Sequence, residues 1–140
     1  MKLHAIKEFL CEEGFRAQLD DDNDVIFKYE GKTLFIESDD NDNIFIRIVL
    51  PNVWSIGSEA ERQRAYVCAS NINYEYKVVK VVLTAHDNIN LSLELFLPDE
   101  HAFIAVFERS LSALNSAHRA FAEAMSSYSE SEEKQAILLN

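Results

Sequence analysis

Apolar residues recur at helical spacing from the first positions of the chain, at Leu3, Ile6, Phe9 and Leu10, and Gly14 stands where a helix-ending glycine belongs. The period then shortens to two. "FRAQL" (15–19) reads as a brief strand, Val25, Phe27 and Tyr29 as one face of a second, and "TLFIES" (33–38) as a third. In "IFIRIVL" the residues Ile44, Ile46, Ile48 and Leu50 alternate with Phe45, Arg47 and Val49, and Pro51 is expected to end the strand. The Asx-rich turns "DDDND" and "DDNDN" and the turn at Gly31 are too short for parallel crossovers, so these strands form an antiparallel meander.

A helix follows. Ser58 and Glu61 have the spacing of a capping box, and Ala65, Cys68, Ala69 and Ile72 form the buried stripe. "YKVVKVVLT" and "INLSLELFL" then flank "AHDN" as a hairpin, with Ile89, Leu91, Leu93, Leu95 and Leu97 on one side of the second strand. From Pro98 or Asp99 a long amphipathic helix places Phe103, Val106, Phe107, Leu114, Phe121 and Met125 near one side. The order α-β-β-β(β)-α-β-β-α describes an α+β domain, an antiparallel sheet with helices, spanning residues 1–126. Residues 127–140 are a polar C-terminal tail or an extension of the last helix. At the junction of the second helix and the hairpin, Asn71 and Asn73 are expected to end the helix, since Asn tolerates left-handed backbone angles and bonds free carbonyls.

Composition narrows the partners. The 140 residues carry a formal net charge of -11, with no Lys/Arg stripe, which argues against nucleic acid and against anionic membrane surfaces. An acidic surface suits solubility or a basic polypeptide partner. No run approaches a transmembrane length, and the start lacks the continuous apolar core of a signal peptide. Cys11 and Cys68 lack metal or redox spacing and read as buried reduced thiols of a cytoplasmic protein.

Candidate chemistry is thin. Asp20, Asp22 and Asp24 have the spacing that opens a calcium-binding EF-hand loop, but Val25 and Gly31 stand where the loop needs Gly and Glu. In the second acidic turn Ile44 and Leu50 fail in the same places. The meander does bring the two turns to one end, so Asp20, Asp21, Asp22, Asp24, Asp39, Asp40 and Asp42 converge there as solvated turn residues or as an acidic patch for a basic partner. His4, His86, His101 and His118 are scattered, and neither a GxSxG elbow nor a glycine-rich phosphate loop occurs. No catalytic residue, metal site or cofactor site is assigned. Phe45, Val49, Val78, Val82 and Phe96 fall opposite the main core face; either a second layer of helix covers them or they bind another subunit. Trp54, expected in the loop after Pro51, is a core lid or a binding residue.

The junction "ASNINYEYKVVKV" (69–81) resembles the YbjN family of bacterial proteins, through Asn71, Ile72 and Asn73, then Lys77 and Val78, then the strand ending at Leu97. Asp99, Glu100, Phe103 and Phe107 follow in family order, and the resemblance covers roughly residues 3–125. It implies a fold like that of type III secretion chaperones, which are small acidic proteins and often homodimers. The function it implies is a non-enzymatic protein-binding module, chaperone-like or regulatory, of the kind labelled sensory transduction regulator. The alternative is a small-molecule-sensing domain with a pocket between sheet and helices. The expected partner is another polypeptide, basic or a second copy of the chain.

Overall fold

The structure, a computed structural model, describes residues 1–139, with side chains through Ser127. Most of the stretch read as a tail or helix extension therefore has its side chains outside the described residues.

The elements follow in the order α1 (Leu3–Glu12), β1 (Ala17–Leu19), β2 (Val25–Tyr29), β3 (Lys32–Asp39), β4 (Asp42–Ser55), α2 (Glu59–Glu75), β5 (Val79–Leu83), β6 (Asn88–Phe96) and α3 (Glu100–Leu139). The strands make one six-stranded sheet in the order β1-β2-β3-β4-β6-β5, antiparallel throughout. The α+β fold expected from the alternating and helical patterns is the one found.

One register row explains the architecture. Val25 pairs with Ile36, Ile36 with Ile48, Ile48 with Leu93 and Leu93 with Val79, and all five are buried. Side chains alternate across a strand, so this row and its even neighbours form the face that α1, α2 and α3 cover. On α3, Phe103, Phe107, Leu111, Leu114, Ala117, Phe121 and Met125 recur every three or four residues and are buried in one stripe. Phe107 is the hub of an aromatic cluster, with ring centroids 5.4–6.0 Å from Phe103, Phe15, Phe27 and Phe9. The buried stripe of α2 is mostly small: Ala65, Cys68 and Ala69, with Ile72.

Local chemistry sets the element ends. Gly14, at φ +96°, turns the chain out of α1, a conformation that costs a glycine little. Ser58 Oγ accepts the Glu61 N–H at 3.1 Å, while the Glu61 carboxylate accepts from Gly57, one residue before the position a capping box would use. Asp99 Oδ1 accepts the Ala102 N–H at 2.9 Å and caps α3.

Three expectations need correction. Pro51 does not end β4. The strand continues through a bulge between Leu50 and Trp54, where Asn52 has φ +56° and its N–H donates to Asn90 Oδ1 at 3.0 Å. Proline is tolerated where the ladder is already interrupted. Trp54 accordingly lies in β4 opposite Ile89 and not in a loop. Cys11 is exposed, its Sγ 3.4 Å from the carbonyl oxygen of Ala17; only Cys68 is buried.

Candidate functional site

The odd register rows build the opposite face of the sheet. Ile26, Phe35, Val49, Ser92 and Lys80 make one row, and Glu37, Arg47 and Glu94 the next. Phe45 and Phe96 pair beyond them, ring centroids 6.1 Å apart. Among the described residues no helix lies on this face, so the covering layer that was one expectation for Phe45, Val49, Val82 and Phe96 is absent. Phe96 is 70% exposed and Val82 is exposed, while Phe45 and Val49 are half-buried by their neighbours.

Arg47 ties the face together. Its Nη1 lies 3.0 Å from Glu37 and its Nε 3.2 Å from Glu94, and Lys80 Nζ lies 3.0 Å from the same Glu94 oxygen. The guanidinium also stands 5.1 Å over the Phe45 ring. Burial works against the Arg47 charge, but its hydrogen bonds to Glu37 and Glu94 outweigh this and hold it more firmly protonated. The Lys80 hydrogen bond, aided by Arg47, lowers the Glu94 pKa. Charged groups fixed in this way present a patterned surface around the apolar residues.

The two acidic turns do meet at one end of the sheet. Asp22, Asp24, Asp39 and Asp40 line an open cleft of about 560 Å³ that also includes Phe45 and Arg47. Asp20, Asp22 and Asp24 have carboxylate oxygens within 4.8 Å of one another. Asp20 spends one of its oxygens on the backbone, accepting the N–H of Asp22 at 2.9 Å and of Asp24 at 3.0 Å, which is an Asx turn. Asp42 likewise accepts the Ile44 N–H at 3.3 Å, and Asp21 is exposed outside the cleft lining. Burial, then Glu37, Asp20 and Asp22, raises the Asp24 pKa.

Two of the contact candidates lie elsewhere. Trp54 is on the helix side, edge-on to Phe121 with centroids 6.2 Å apart, as a core lid would be. Val78 precedes β5 and lines a separate cleft against α3. Between sheet and α3, near Leu34, Leu50, Leu111 and Leu114, packing leaves a void of about 10 Å³.

The helix-to-strand junction also differs from expectation. α2 runs past both asparagines to Glu75, and Tyr76 N–H donates to Ile72 O at its end. Asn73 instead reaches across to Val81 in the edge strand β5. Asn71 is exposed.

No protein-family model matches the chain, and no curated protein matches it in sequence. Solved structures do. YbjN from E. coli, described as a candidate transcription regulator, superposes with a TM-score of 0.68 over 91% of this chain and 94% of its own, at 14% identity. The chain has the YbjN fold. An uncharacterized protein from Methanothermobacter thermautotrophicus matches with a TM-score of 0.57 over 93% of this chain and 98% of its own, at 18% identity. At such identities the likeness carries the fold alone, which agrees with the resemblance read at residues 69–81. No helix among the described residues is long and apolar enough to cross a membrane.

Proposed function

We propose that this chain is a non-enzymatic, cytoplasmic binding module, regulatory or chaperone-like, that engages another polypeptide through the uncovered face of its sheet. A second copy of the chain, forming a homodimer, is one such polypeptide. The observation that carries this reading is continuity: Phe45 and Arg47 belong both to the apolar face and to the acidic cleft beside it. A contact surface of this kind anchors through aromatic residues and selects its partner by charge. A net charge of -11 opposes indiscriminate association and favours a partner with basic residues beside an apolar anchor.

Affinity capture from the native cell with wild-type and Phe96→Asp baits tests the proposal. Polypeptides retained by the wild type and released by the variant, with the variant's circular dichroism unchanged, support it. Identical capture by both baits, or no polypeptide captured by the wild type, contradicts it.

A further inference from the structure

We propose that the cleft between α3 and the β5–β6 hairpin binds a small amphipathic carboxylate, an anionic head on a short apolar chain. This site is separate from the uncovered sheet face and does not depend on the function proposed for that face.

The cleft has a volume of about 270 Å³ and an apolar floor of Leu95, Leu97, Val106 and Ala113. Lys77, Val78, Arg109 and Ser110 complete its lining. Among the described residues neither cation is in an ion pair. The sequence explains this for Arg109: the positions three and four away along its helix are Ala105, Val106, Ser112 and Ala113, so no carboxylate of α3 lies one turn from it on the same face. In a chain with 24 Asp and Glu against 13 Lys and Arg, two unpaired cations at one apolar cleft run against the general charge. The one hydroxyl in the wall, Ser110, is already engaged, donating to the Val106 carbonyl at 2.8 Å.

Charge and size together select the ligand. A guanidinium fork pairs with a carboxylate in two parallel hydrogen bonds, and the lysine adds a point charge. The volume equals about nine water molecules at roughly 30 Å³ each, room for an alkyl chain of about eight carbons but not for a drug-sized ligand. Val78 forms part of the same wall. It sits at φ +57° in a γ-turn closed by the Val79 N–H donating to the Lys77 carbonyl at 2.8 Å, which fixes the chain between the two residues of α2's exit and β5.

Titration of the full chain with octanoate, followed by methyl-group NMR, tests the proposal. Saturable shifts confined to Val78, Leu95, Leu97 and Val106 are expected, with octan-1-ol binding at least tenfold more weakly. Arg109→Ala should weaken octanoate about tenfold, and Lys77→Ala several-fold, with unperturbed spectra elsewhere. The proposal is overturned if octanoate gives no saturable shift up to its solubility, if the shifts fall at Phe45 and Phe96, or if octan-1-ol or Arg109→Ala matches wild-type octanoate binding.

Discussion

Asn73 holds Val81 by both of its backbone polar groups. The Val81 N–H donates to Asn73 Oδ1 at 2.7 Å, and Asn73 Nδ2 donates to the Val81 carbonyl at 3.2 Å. Val81 belongs to β5, the last strand of the sheet, whose outer edge would otherwise offer unpaired groups to another chain. A side-chain amide thus substitutes for a missing strand and ties α2 to the edge. Asn73→Ala should lower the unfolding free energy by about 1 kcal/mol and speed hydrogen exchange at the Val81 amide. Asn71→Ala should be neutral. Urea denaturation of the two variants checks the contrast, and equal losses would contradict the clamp.

Asp20 has a similar local role. Losing its side chain frees two turn N–H groups, so Asp20→Ala should cost about 1 kcal/mol while Asp21→Ala stays within about 0.5 kcal/mol. The Asp20 turn is held by its own side chain-to-backbone hydrogen bonds, so a chelator should leave the melting temperature of the wild type unchanged. Thermal denaturation with and without EDTA reads both points.

Much of this was legible in the residues and some was not. Period two at 44–50 and 89–97, and period 3.6 from Phe103 to Met125, report directly which side of each element is buried. Alternation also shows that Phe45 and Phe96 face away from the core. It cannot show whether a helix covers them, because that depends on where α1, α2 and α3 cross the sheet. The clamp at Asn73 has no signature in the sequence: Asn at a helix end is common, and a bond to a strand eight residues on leaves no local pattern. Pro51 is a parallel case: a proline ends a strand unless a bulge, here stabilised by Asn90, accommodates it. Lys77 and Arg109 are more than thirty residues apart, and only the fold puts them at one cleft.

Val78 carries backbone strain that glycine would relieve. A β-branched residue at φ +57° costs roughly 1–2 kcal/mol, and Val78 is 54% exposed, so little burial is lost on removing its side chain. Val78→Gly should leave stability unchanged or raise it by up to about 1 kcal/mol, after the greater freedom of glycine in the unfolded chain is counted. Chemical denaturation decides, and a loss above about 1 kcal/mol would contradict the strain.

His118 should make the protein sensitive to mild acid. Burial, then the neighbouring Lys32, lowers its pKa in the folded state below the ordinary value of 6.5, and its buried Nδ1 has no hydrogen-bond partner among the described residues. The unfolded chain therefore takes up this proton first. The stability from His118 is complete above pH 6.5 and is lost as pH falls through the lowered folded value. Glu94, Glu59 and Glu100, with pKa values lowered from 4.5, add their losses only at more acid pH. His118→Gln should flatten the stability profile between about pH 7 and 5 and leave the steeper acid limb in place. Melting temperature against pH for the two proteins measures this; superimposable profiles would contradict it.

The central claim is that the uncovered sheet face is a contact surface. Phe96 is 70% exposed, and among the described residues its one ring contact is edge-on to Phe45, so Phe96→Asp should leave the fold intact. Sedimentation equilibrium of wild type and Phe96→Asp, at matched concentrations and low salt, tests the claim most directly. The expected result is a wild-type dimer and a folded, monomeric variant. A variant that dimerises equally well would contradict it, as would a wild type that stays monomeric at every accessible concentration and retains no polypeptide partner.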